Sequence, residues 1–191
     1  MKYIKTEIPE VVIVEPIVFS DNRGYFMETF RKDKLEEAIG HSVDFVQDNE
    51  SKSSHGVLRG LHFQLPPFAQ SKLVRVIKGR ILDIVVDIRR GSPTFGRHVS
   101  VELSEENKRM VFIPRGFAHG FVVLSEEAIF SYKVDNYYSQ EHDRGIVFDD
   151  PVLSIDWQLS DDALQLSDKD RKQPLLADAD QLFDYKENLY G

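Results

Sequence analysis

Between residues 11 and 134 the chain is broken into short apolar runs, each stopped by a cluster of Gly, Pro, Asp or Ser. They span Val11 to Val14, Tyr25 to Phe30, Leu73 to Ile77, Ile81 to Ile88, Val99 to Leu103, Met110 to Ile113, Gly120 to Leu124 and Ala128 to Val134. No helical segments alternate with them, which favours an all-β sandwich, jelly roll or small barrel over a parallel α/β sheet. Val99, Val101 and Leu103 alternate with His98, Ser100 and Glu102, the pattern of a strand with one face packed and one wet. Lys78-Gly79, between two apolar runs, predicts a tight hairpin. Helix is confined to the flanks: Lys32 to Ile39, stopped by Gly40, and short pieces after Trp157 where Asp and Ser offer caps.

With 191 residues, no internal repeat and no flexible linker, residues 1–191 are expected to form one domain on which the tail from about Asp156 packs. A formal charge of -8 argues against general affinity for nucleic acid or anionic lipid, while leaving room for a local basic cluster. With no cysteine, disulfides, thiolate metal sites and cysteine nucleophiles are all excluded. The opening MKYIKTEIPE lacks the apolar stretch of a signal peptide, and no run reaches the ~18 apolar residues of a membrane span; the expected location is the cytoplasm.

The phosphate-loop, dinucleotide-fold, serine-hydrolase and HExxH signatures are absent. Polar residues instead sit inside apolar, Gly- and Pro-containing segments: Phe45 to Asn49, Leu58 to Gln64, and Ile113 to Phe121. Strand alternation turns His62 away from the face of Leu61 and Phe63, and if that face lines a cavity His62 is a candidate general base. A core histidine bonded to backbone is the plainer reading for either His62 or His119. The stretch Ile113 to Gly120 looks like the second motif of metal-binding cupins, with His119 at the ligand position. The His-x-His of those cupins is missing, because His62 is followed by Phe63-Gln64.

Taken together, Gly24-Tyr-Phe-Met-Glu28, Phe45-Val-Gln-Asp-Asn49, Val57-Leu-Arg-Gly-Leu-His-Phe-Gln64, Lys72-Leu-Val-Arg75, Asp87-Ile-Arg89, Ser92-Pro-Thr-Phe-Gly96, Ile113-Pro-Arg-Gly-Phe-Ala-His-Gly-Phe121, Tyr132-Lys133, Asn136-Tyr-Tyr-Ser139 and Leu166-Ser-Asp-Lys-Asp170 resemble the dTDP-4-dehydrorhamnose 3,5-epimerase family. The resemblance implies a cupin-type jelly roll with short flanking helices, a homodimer, no cofactor and no metal. The substrate it implies is dTDP-4-dehydro-6-deoxy-D-glucose, converted to dTDP-4-dehydro-L-rhamnose in dTDP-L-rhamnose biosynthesis.

By the same resemblance His62 is the base, Asp170 its carboxylate partner, Tyr132 the acid, and Lys72 the cation beside the C4 oxygen, all acting on protons at C3 and C5. Arg59 and Arg23 match residues that hold the diphosphate. Glu28, Gln47, Asp48, Asn49, His119 and Lys169 match other substrate contacts. In Tyr138-Ser139-Gln140-Glu141-His142-Asp143 the family's glutamate is absent, so Asp143 with its shorter reach, or Glu141, takes that place. Phe26 and Tyr138 are plausible stacking surfaces for thymine or neighbouring groups of the substrate. The alternatives are an epimerase acting at one carbon only, and a cupin that binds a small anion.

Overall fold

The computed structural model describes the whole chain, residues 1–191. Two antiparallel sheets face each other. The first has six strands in the order β1 (Lys2–Lys5), β2 (Val12–Glu15), β11 (Met110–Ile113), β7 (Lys72–Lys78), β13 (Glu127–Val134) and β5 (Gln47–Ser54). The second has five: β10 (His98–Ser104), β8 (Arg80–Asp87), β12 (Phe117–Val123), β6 (Leu58–Gln64) and β14 (Asp143–Gly145). A separate hairpin joins β3 (Val18–Asp21) to β4 (Gly24–Met27), and β15 (Phe183–Asp184) runs parallel to β9 (Arg89–Arg90). The only α-helices are α1 (Lys32–Ile39) and α2 (Asp168–Arg171). This is an all-β jelly roll of the cupin type, with short flanking helices.

Three apolar layers hold it. Between the sheets lie Val74, Val76, Ile81, Val85, Val99, Val101, Leu103, Phe121 and Phe130. Outside the second sheet, Leu82, Ile84 and Val86 pack under Trp157, Leu164, Leu176 and Phe183 of the tail. Outside the first, Val12, Val14 and Phe112 pack under Leu35 of α1. Strand β8 is therefore buried on both faces, which is why residues 81–88 read as a nearly unbroken apolar run. The alternation over β10 is observed, with Val99, Val101 and Leu103 buried and Ser100 and Glu102 exposed. Helix α1 covers the expected residues and ends on Gly40 in the left-handed region, φ 83°.

Some expectations fail for physical reasons. Lys78-Gly79 is not a hairpin: β7 and β8 belong to different sheets, and Gly79 (φ 80°) turns the corner where a Cβ would meet the Glu127 carbonyl at 2.0 Å. The run at Tyr25 contributes only the short β4 of the exposed hairpin. Strand β12 starts at Phe117, ahead of the run expected from Gly120, so His119 is a mid-strand residue. Strand β5, Gln47 to Ser54, has no apolar residue to reveal it.

Candidate active site

Between the two sheets the apolar layer gives way to a cavity of about 670 Å³. Lys72, Tyr132, Asn49 and Ser51 line it from the first sheet, Arg59, His62 and His119 from the second, and Lys169 and Asp170 from the tail. Arg59 and His62 are three residues apart, and strict alternation would send them to opposite faces. A bulge resolves this: His119 pairs with His62 and Phe121 with Arg59, so Gly60 and Leu61 together oppose the single residue Gly120. Leu61 then packs outward while Arg59 and His62 both turn inward. The strands approach so closely here that a Cβ on Gly60 would lie 2.4 Å from the Gly120 Cα.

His62 Nε2 lies 2.5 Å from Asp170 Oδ1. The tail delivers the carboxylate: Ser167 caps α2 by accepting from the Asp170 N–H, and its hydroxyl donates to Asp170 Oδ2 at 2.8 Å. Burial opposes ionisation of Asp170, but the His62 and Ser167 hydrogen bonds outweigh it and hold the carboxyl below its ordinary range. An ionised carboxylate only accepts, so it places the imidazole proton on Nε2 and leaves the Nδ1 lone pair free to accept one.

Lys72 heads β7 and makes no ion pair; burial lowers its ammonium to about 8, against the pull of Asp143 and Asp83. Burial raises the Tyr132 phenol, with Arg59 working against it. His119 Nε2 meets Asp83 Oδ2 at 2.8 Å. Burial lowers the His119 pKa despite Asp83, and nearby Lys72 and His62 reinforce the effect. The cavity thus presents an imidazole on one sheet, a phenol on the other and an ammonium beside the phenol's strand. That set suits proton transfer next to a carbonyl. No three His, Asp or Glu side chains converge as a metal site.

A family model described as dTDP-4-dehydrorhamnose 3,5-epimerase matches residues 5–178. The chain belongs to this family. A dTDP-4-dehydrorhamnose 3,5-epimerase from Shigella flexneri is 56% identical over 180 residues, 94% of this chain and 98% of that one. Among solved structures, the dTDP-6-deoxy-D-glucose-3,5-epimerase of Legionella pneumophila, in complex with dTDP-4-keto-L-rhamnose, is similar at a TM-score of 0.93 and 49% identity, covering 97% of this chain and 99% of that one. A 3'-monoepimerase from Streptomyces bikiniensis, in complex with dTDP-quinovose, is similar at a TM-score of 0.84 and 34% identity, covering 91% and 87%.

Not every residue singled out by the epimerase resemblance reaches the cavity. Asp48 projects from the opposite face of β5 to Asn49, where its carboxylate accepts from Lys133 Nζ at 2.8 Å. Gln47 shares the inner side with Asn49 and donates to its Oδ1 at 2.8 Å. Asp143 sits beyond the lining, accepting from Gln64 Nε2 at 3.2 Å, from the Tyr138 hydroxyl at 3.3 Å and from Lys169 Nζ. Glu141 is exposed and makes no side-chain hydrogen bond, so among these acids Asp143 is the one tied to the site. Arg23 pairs with Asp21 on the β3–β4 hairpin, and Glu28 is exposed just after it, both outside the cavity of their own chain. Sequence reasoning missed Asp83 and Ser167. The signal for Asp83 was present, a carboxylate alone inside Ile81-Leu-Asp-Ile-Val-Val86.

Proposed function

We propose that this enzyme inverts C3 and C5 of dTDP-4-dehydro-6-deoxy-D-glucose, forming dTDP-4-dehydro-L-rhamnose for dTDP-L-rhamnose biosynthesis. The observation that carries the assignment of roles is the His62–Asp170 pair facing Tyr132 and Lys72 across one cavity. Both carbons flank the C4 ketone, so each hydrogen is removable as a proton once the enolate is stabilised. His62 Nδ1 takes the proton, and the C–H electron pair moves into the ring to place negative charge on the C4 oxygen. The Lys72 ammonium neutralises that charge. Tyr132, on the opposite sheet, returns a proton to the other face of the carbon as the enolate electrons re-form the C–H bond. The imidazolium formed is stabilised by Asp170, and exchange with solvent resets both groups. Arg59, exposed at the rim and held only through Nε by Ser53 Oγ at 3.2 Å, keeps its remaining donors for the diphosphate.

The same reading makes the enzyme a cytoplasmic homodimer. Its support is the β3–β4 hairpin, which leaves Phe19 61%, Tyr25 56% and Phe26 67% exposed, an apolar face that a second copy would cover. Arg23 and Glu28 would then serve the partner's cavity.

The test is incubation with dTDP-4-dehydro-6-deoxy-D-glucose in D2O with EDTA present, following deuterium at C3 and C5 by NMR. Label at both carbons with formation of the L-lyxo product is the expected result. Label at one carbon alone would establish a single-position epimerase, and label at neither would leave a binding protein.

A further inference from the structure

The last residues of the chain reach back to the strand that carries Lys72. Arg115 lies just past the end of β11, Ser71 just before the start of β7, and Asp135 just past the end of β13, at one edge of three neighbouring strands. Tyr190 ties that edge together: its Oη accepts from the Arg115 N–H at 3.0 Å and lies 2.9 Å from Ser71 Oγ. Arg115 in turn donates through Nη1 to the Leu189 carbonyl at 2.7 Å and through Nε to Asp135 Oδ2 at 3.1 Å. Asp135 closes the circuit by accepting from the Ser71 N–H at 2.6 Å. The Tyr190 ring rests against His41, with centroids 3.9 Å apart, and below the Arg115 guanidinium. Ser71 is fully buried, so its hydroxyl depends on a protein partner. These tail residues lie beyond residue 178, where the match to the family model ends.

We propose that Tyr190 is a positioning residue for catalysis: by clasping Ser71 and Arg115 it fixes the first turn of chain into β7, and with it the place of Lys72 in the cavity. This rests on the role given above to Lys72. Residue 72 is the direct neighbour of Ser71, and across the sheet it is paired on one side with Ile113 and on the other with Val134. Lys72 and Val134 directly abut the clasp residues Ser71 and Asp135, and Ile113 is separated from Arg115 by Pro114 alone. The charged and titratable groups around the Lys72 ammonium are Asp83 on β8, His119 on β12, His62 on β6, Tyr132 on β13 and Asp143 on β14. None of them touches the clasp, so a change at Tyr190 reaches the ammonium through backbone position and water access.

The experiment compares Tyr190→Phe, Ser71→Ala and the double variant, reading kcat, KM, the pH dependence of kcat and the titration of the Lys72 ε-carbon by NMR. Ser71→Ala is expected to lower kcat about fivefold, the worth of one hydrogen bond, and Tyr190→Phe, which also removes the acceptor of the Arg115 N–H, by more, with KM for the nucleotide sugar nearly unchanged in both. The double variant should lose no more than Tyr190→Phe alone, because the Ser71 hydrogen bond is already absent there, whereas Ser71→Ala leaves Tyr190 accepting from the Arg115 N–H. The alkaline limb of kcat and the Lys72 titration should move upward together as water gains access. A lowered melting temperature with kcat, its alkaline limb and the Lys72 titration all unmoved would overturn the proposal and leave a purely structural strap. A moved Lys72 titration with unchanged kcat would uphold the clasp and refute the role of Lys72 in the reaction.

Discussion

Replacing Lys72 by Met should make the protein more stable and nearly inactive. The ammonium has been drawn from its ordinary value of 10.5 down to about 8, because the cavity removes water from it faster than Asp143 and Asp83 repay. At about 1.4 kcal/mol per tenfold, holding this lysine charged in the folded state costs about 3 kcal/mol at neutral pH. Its folded pKa lies below its unfolded one. Between about pH 8 and 10.5 the unfolded chain therefore binds more protons, and stability from this group rises with pH across that window. Below about 8 the cost is fully present, and above 10.5 it is gone. Urea unfolding of the wild type and Lys72→Met at a series of pH values isolates it, since every other titrating group is common to both. The variant should lead by up to about 3 kcal/mol at pH 7, and the gap should close as the pH passes 10. A variant no more stable than the wild type at pH 7, or a gap that ignores pH, would refute the reasoning. Turnover should fall about a hundredfold through loss of the cation beside the enolate.

Asp170→Asn keeps the Ser167 hydroxyl as a donor to the amide oxygen, which turns the amide N–H toward His62 Nε2 and forces the imidazole proton onto Nδ1. Deuterium uptake at C3 and C5 should drop by roughly 10² to 10⁴ with little change in KM, and a variant keeping a tenth of the wild-type rate would contradict the tautomer assignment. Tyr132→Phe should spare proton loss more than inversion, seen as substrate that gains deuterium without becoming product; equal loss of both would count against its role as acid. Gly60→Ala places a Cβ 2.4 Å from the Gly120 Cα at φ +135°, so a loss of more than about 2 kcal/mol in stability is expected by thermal unfolding.

How much of this was legible in the sequence depends on what each segment buries. Strands β8, β10 and β11 were visible because each presents valine, isoleucine or leucine to at least one apolar layer. Strand β5 was invisible because it lies at a sheet edge, one side wet and the other facing a polar cavity, so it has no need of apolar residues. The corner at Gly79 resembles a hairpin locally, and only the pairing of β7 with β11 and β13 decides otherwise. His62, Tyr132, Lys72 and Asp170 were singled out through ordered motifs, and spacing alone would not have joined His62 to Asp170, 108 positions apart. Asp83 escaped because no motif carried it, although a lone carboxylate in an apolar strand requires a partner.

The separation of His62 from Asp170 also bears on when activity can arise. His62 leaves the ribosome long before Asp170, and the carboxylate is held against it by a tail whose Trp157, Leu164, Leu176 and Phe183 pack on the outer face of the second sheet. A chain truncated or clipped before α2 contains the residues of every strand of the two facing sheets and lacks Asp170, the partner of His62. With the roles proposed above, turnover reads out tail docking, and a preparation that is β-structured by circular dichroism but lacks a docked tail is expected to be inert.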